Sequence, residues 1–105
     1  MALDEMMQIK GVQAAVEFDP QGRLTGAKGD LPDELATLLA GFAHLNIQVA
    51  KSLAEDYTVM GGVGIEYPTA FGLIGRKRAS FTRGNRAMLL LIEQIDFNEI
   101  IKGSW

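Results

Sequence analysis

The stretch GRKRASFTRGNR, residues 75 to 86, places five of the chain's ten positive charges within twelve residues. Clustered guanidinium and ammonium groups neutralise phosphates, so the run raises nucleic-acid or phosphate binding as a possibility. The remaining charge opposes it. Residues 1 to 74 carry four bases and ten acids, and the chain has a net charge of −3. Long-range repulsion from an acidic body offsets a local basic patch, so nucleic acid is an unlikely partner. GGVG at positions 61 to 64 resembles a phosphate-binding loop only in its glycines. It lacks the GK[ST] ending and precedes a strand, which fits a helix-to-strand connection better.

Three other places carry candidate chemistry. His44 is the chain's one histidine, and its neighbours at i−4 and i+4 are Ala40 and Gln48, which supply neither a second metal ligand nor a carboxylate partner. It falls on a polar helical arc with Thr37, Gln48, Lys51 and Glu55, where it is expected to be solvated. Glu55 and Asp56 adjoin near the expected end of that helix, a weak signal for a cation that a solvated helix end explains equally well. The chain has no cysteine, which excludes disulfides, thiolate catalysis and cysteine-based metal sites. No nucleophile with a base emerges, so the expectation is a protein that is not an enzyme and uses no cofactor.

A length of 105 residues fits one domain spanning positions 1 to 105, and a 48% hydrophobic composition supplies its core. The opening MALDEMMQIKG has acids where a secretory signal has bases, and no apolar run reaches the ~20 residues of a membrane span. A soluble, cytoplasmic protein is expected.

The elements that must position these residues can be read from local pattern. LDEMMQI reads as a short helix with Asp4 and Glu5 in its first turn. VQAAVEF alternates Val12, Ala14, Val16 and Phe18 against Gln13, Ala15 and Glu17, which predicts a strand. DPQG suits a type I turn into a second strand over residues 23 to 28. GDLPDE then opens a long helix, with the cap at Asp30 or Leu31 and Pro32 in the first turn, running to about Glu55. FGLIGR, RASFT and RAMLLLIE read as three further strands, the last apolar from Ala87 to Ile92 and so placed mid-sheet. Gly84-Asn85 is a two-residue hairpin signal. IDFNEII predicts a closing helix capped by Asp96, with Glu99 as its capping-box partner and Ile95 and Ile100 as a hydrophobic staple.

The long helix carries two apolar stripes. Leu35, Leu38, Leu39, Phe42, Val49 and Leu53 form one, and Ala36, Ala40, Ala43, Ile47, Ala50 and Ala54 the other. Together they cover an arc of ~220°, about twice what one sheet face needs. The small residues of the second stripe predict close approach of another helix, most simply from a second copy of the chain. Asn46 lies at the centre of the arc, where its amide needs a partner and could fix the register of a dimer.

The element order α-β-β-α-β-β-β-α, with LDEMMQIKGVQAAVEFDPQGRLTGAKGD at the start, PDELATLLAGF in the long helix and a closing strand followed by DFNEIIK, resembles the roadblock/dynein-light-chain family. The resemblance is closer still to a small, functionally uncharacterised group of bacterial roadblock-like proteins. It implies an α+β fold, with a five-stranded antiparallel sheet in the order 2-1-5-4-3, the long helix on one face and two terminal helices on the other. Such proteins pair as homodimers or heterodimers through their third strands and long helices, and serve as adaptors, scaffolds or regulators, several acting on small GTPases. On this basis the dimer interface is expected at Ala36, Leu39, Ala40, Ala43, Asn46, Ile47, Ala50, Ala54, Phe71 and Leu73, giving a homodimeric interaction module for a cytoplasmic protein partner. The alternative is a small-ligand sensor or accessory subunit of a metabolic enzyme complex, although the sequence shows no convergent polar cluster for it.

Strand geometry then divides the basic run. Arg76, Lys77 and Arg78 fall in the turn between strands three and four, and Arg83 and Arg86 flank Gly84-Asn85. A strand of about five residues sets those turns some 17 Å apart. Arg76, Lys77 and Arg78 are the better candidates for recruiting an acidic partner. Trp105 could anchor a partner or fold back on the terminal helix, and the sequence favours neither.

Overall fold

The computed structural model describes residues 3–61 and 70–102. In chain order these form α1 (Leu3–Met6), β1 (Val12–Phe18), β2 (Leu24–Gly29), α2 (Asp33–Gly61), β3 (Ala70–Ile74), β4 (Arg78–Arg83), β5 (Arg86–Leu91), a 3-10 turn at Ile92–Gln94 and α3 (Phe97–Lys102). The strands make one sheet in the order β2-β1-β5-β4-β3, with every neighbouring pair antiparallel. α1 and α3 cover one face and α2 the other. Met6, Ile9, Ala15, Met88, Leu90 and Ile100 form the core under the terminal helices. Val16, Phe18, Ala36, Ala40, Ala43 and Ala87 form the core under α2. β5 contributes to both, which is why its sequence is apolar at successive positions rather than alternating.

β1 departs from the simple alternation its sequence suggests. Val12 pairs with Leu90 and Ala14 with Leu89, so Gln13 is the extra residue of a β-bulge. Downstream of the bulge the faces change over. Val12 therefore packs with Ala15 under the terminal helices, while Val16 and Phe18 point to α2.

The turn after β1 is fixed by one carboxylate. The Gly22 N–H donates to the Asp19 carbonyl at 2.9 Å. Asp19 Oδ1 accepts the N–H groups of Gln21 and Arg23, and Oδ2 accepts from Arg23 Nε, all at 2.9 Å. The Arg23 backbone N–H leads in holding the Asp19 carboxyl below its ordinary value; desolvation opposes it, and the Arg23 side chain and the Gln21 N–H reinforce it. A depressed folded pKa means that the turn adds stability above the unfolded pKa of about 3.9 and loses it as pH falls through the folded value. Acid titration of stability should therefore be steeper for the wild type than for Asp19→Asn in that range. Equal slopes would remove this carboxylate from the acid response.

The ends of α2 lie beyond the expected positions. The Ala36 N–H donates to the Pro32 carbonyl at 2.9 Å, which puts Pro32 at the cap rather than in the first turn. The helix continues to Gly61, past Glu55, because no glycine or proline interrupts residues 42 to 60. β5 ends at Leu91, where the chain enters the 3-10 turn and the Ile92 N–H donates to the Lys77 carbonyl at 3.0 Å. The β4–β5 hairpin closes on Gly84, whose φ of 61° suits a turn with glycine at its first position, and Arg83 pairs with Arg86 across it. At α3, Asp96 Oδ1 accepts the N–H groups of Asn98 and Glu99 at 3.0 and 3.3 Å, and Ile95 and Ile100 share one cluster. The Asp96 cap and the staple thus form as the sequence predicts, with Glu99 taking part through its backbone N–H.

Candidate interaction surface

α2 buries the stripe that was expected to face a second copy. Ala36, Ala40, Ala43 and Ile47 are buried, and the three alanines pack on the α2 core of their own sheet, with Leu39 half-buried against it. Asn46 is half-buried. The sheet face beneath already carries Val16, Phe18 and the buried Thr82, so only small residues let the helix axis approach it. Over residues 35 to 49 the alanine stripe therefore faces the sheet and the leucine stripe faces outward. The side chains of Ala50, Ala54, Phe71 and Leu73 lie outside the described residues, as do Gly62 to Gly64 and Trp105.

The stripe left outside consists of Leu35, Leu38, Phe42, Leu45 and Val49, each between 45% and 66% exposed. Their spacing alternates three and four residues, the a/d pattern of a narrow helix-to-helix seam. Isolated exposed leucines are ordinary, but five along one ridge are not. Leu45, which the sequence reading leaves out of the stripe, lies only about 20° from Leu38 around the helix, so both its angle and its heptad spacing mark it.

Among the described residues β3 ends the sheet, with β4 as its one sheet neighbour, which leaves its outer edge available for pairing. Beside that edge, Arg76 and Lys77 are exposed in the turn between β3 and β4. Arg78 is the first residue of β4 rather than part of the turn, and its Nε donates to Gln13 Oε1 at 2.8 Å. The bulge at Gln13 makes that contact possible. Arg78 and Gln13 line a groove of about 330 Å³ with Leu31, Pro32 and Leu35, next to one end of the exposed stripe. Arg86 lies at the other end of the sheet, 3.3 Å from Glu17. The basic run is thus split between two ends of β4.

His44 is not solvated as expected. It is half-buried, with its ring edge-to-face on Phe18 at a centroid distance of 6.1 Å and an interplanar angle of 76°. It borders a cavity of about 300 Å³ between α2 and the two neighbouring turns. Among the described residues no three His, Asp or Glu side chains gather as a metal site, and no helix is long and apolar enough to cross a membrane.

Comparison with known proteins agrees with this architecture. The profile of the family described as "Uncharacterized conserved protein (DUF2173)" matches residues 2–103. The Roadblock/LC7 domain from Streptomyces avermitilis superimposes with a TM-score of 0.62 at 17% identity, covering 85% of this chain and 73% of that one. A structure of MglB with a tetrameric arrangement gives 0.71 at 17% identity, covering 96% and 76%. MglB of Myxococcus xanthus gives 0.61 at 17% identity, covering 80% and 68%. Comparison with curated proteins finds no match. At these identities the structural likeness establishes a shared roadblock fold.

Proposed function

The chain belongs to the family described as Uncharacterized conserved protein (DUF2173), and we propose that it is a homodimeric interaction module that holds or regulates a cytoplasmic protein complex. The observation that carries this reading is the exposed a/d stripe on α2. Burying a large apolar side chain is worth roughly 1.5–3 kcal/mol, so five on one ridge favour association. A stable interface needs about 800 Å² per partner, more than one helical ridge supplies, and the free edge of β3 extends the surface. The chain then acts by presenting surface rather than by catalysis. Light scattering tests this directly, with the mass of two chains as the supporting result and one chain at high micromolar concentration as the opposing one.

Arg76, Lys77 and Arg78 are the proposed contact for an acidic protein partner, and a small GTPase is one partner class that the roadblock resemblance brings with it. Exposed charges steer and select more than they stabilise. Replacing all three by glutamine should leave the protein folded and shift the melting temperature by only a few degrees, since roughly 0.5 kcal/mol corresponds to about 2–4 °C in a domain of this size. Partner capture should fall, and fall more steeply at low salt than at high salt. Retention of the same partner at every salt concentration would retire this contact.

The second reading, a small-ligand sensor, is favoured by the cavity beside His44.

A further inference from the structure

We propose that the cavity between α2 and the two turns is a binding site for a small organic anion, a compact apolar body carrying a carboxylate or a phosphate. This gives the sensor reading a location and a ligand class, and does not depend on self-association. The cavity, of about 300 Å³, lies at the lower end of the range that ligand sites occupy. Its floor is apolar, with Phe18 and Ile47 both buried.

Its rim is built from donors. His44, Gln48 and Lys51 stand at i, i+4 and i+7 on α2, so one helical flank brings all three to the cavity. Lys51 is the one lysine or arginine in the 29 residues of α2, and His44 is the chain's one histidine. Both reach the same cavity. Across from them, Asn85 adds a side-chain amide. Among the described residues Asp19 is the one carboxylate on the wall, and its two oxygens already accept from Gln21 and Arg23. What remains for a ligand is ammonium, imidazole and amide, a set that recognises an anion.

The site is also preorganised. The His44 ring rests on Phe18, and a Cβ built on Gly22 would sit 2.9 Å from its Cγ and Cδ2, so the turn closes against the ring. An imidazole held on two sides loses little freedom on binding. The exposed apolar stripe lies about 130° around α2 from these donors, so covering that stripe leaves the cavity open.

Titration of the 15N-labelled full chain with phenyl phosphate, benzoate and the cation benzylamine tests the assignment. At least one anion should shift the backbone resonances of Phe18, His44, Gln48, Lys51 and Asn85, with a Kd on the order of 1 mM or tighter. The tighter of the two anions identifies the headgroup. Lys51→Ala should weaken that anion by about tenfold or more, the scale of a lost charge-assisted contact, and Gln48→Ala should do so to a lesser degree. No shift with either anion, an equal response to benzylamine, or unchanged affinity in Lys51→Ala would overturn the proposal. Phe42→Glu, which tests self-association, should bind the anion as the wild type does. Loss of binding in that variant would show that the cavity depends on the seam and overturn its independence.

Discussion

Phe42→Glu should leave the protein folded and separate it into single chains. Phe42 sits at the middle of the exposed stripe, with Leu35 and Leu38 on one side and Leu45 and Val49 on the other. Its side chain is 45% exposed in the protomer, so a carboxylate there costs the fold little. In an assembled seam the same carboxylate would be desolvated without a counter-charge, and two-fold symmetry would introduce it twice. Loss of a central aromatic anchor costs 2 kcal/mol or more on its own, so about 3 kcal/mol and roughly 100-fold in Kd is the expected weakening. Light scattering across a concentration series reads this. Thr37→Glu, placed on the opposite flank of α2, should leave the mass unchanged. If Phe42→Glu and the wild type have the same mass at every concentration, the stripe does not hold two chains together.

The stripe also makes a claim about direction. Its residues lie nearly symmetrically about Phe42, at offsets of seven and four before it and three and seven after it. An axis through Phe42 would bring Leu35 against the partner's Val49. Because the chain has no cysteine, Phe42→Cys supplies a single thiol per copy. It should cross-link to itself on oxidation, since a disulfide requires Cα atoms within about 7 Å. Leu35→Cys and Val49→Cys should cross-link when mixed and not alone if the helices run antiparallel. Self-cross-linking at all three positions would reverse that direction.

What the sequence made legible follows from which signals are local. The Asp96 cap, the Ile95 and Ile100 staple and the Gly84-Asn85 hairpin each depend on a few adjacent residues, and each forms as read. Which face of α2 meets the sheet is not a local property. Hydrophobicity favours burying the leucine stripe, yet packing distance decides for Ala36, Ala40 and Ala43 because Phe18 and Thr82 already occupy the space above the sheet. The bulge at Gln13 was hidden for a related reason: one extra residue reverses the faces before it, and nothing in VQAAVEF marks where it falls. His44 reads as polar on a helical wheel, but a turn from β1 and the Phe18 ring come to it through the tertiary fold. The basic run is the opposite case. Strand length alone divides it, and the structure adds only that Arg78 belongs to β4 and reaches Gln13.

Gly29→Ala is expected to be the most destabilising single methyl addition at a described position. Gly29 closes β2 with φ at 102°, a conformation that a side chain resists. A Cβ there would lie 2.3 Å from the Gln13 carbonyl oxygen and 2.8 Å from Ala14 Cα, and both are backbone atoms that cannot swing aside. The clash falls on the bulge itself, where Asp30 N–H also donates to the Gln13 carbonyl at 3.1 Å. Relief requires moving β1 against β2, which breaks the Ala14 to Gly29 pairing and disturbs the α2 approach that begins four residues later. Strain of this kind belongs to the class that costs about 4 kcal/mol or more, a large share of the roughly 5–15 kcal/mol that holds a domain of this size folded. Gly41→Ala provides the opposite sign. A Cβ at Gly41 meets nothing within 4 Å, and alanine in a helix interior is favoured over glycine by roughly 0.5–1 kcal/mol. Urea unfolding of both variants in the Phe42→Glu background removes any contribution from assembly. The midpoint should fall sharply for Gly29→Ala and rise slightly for Gly41→Ala, and a Gly29→Ala protein that unfolds with the parent's midpoint would mean that the bulge and β2 yield far more easily than this geometry allows.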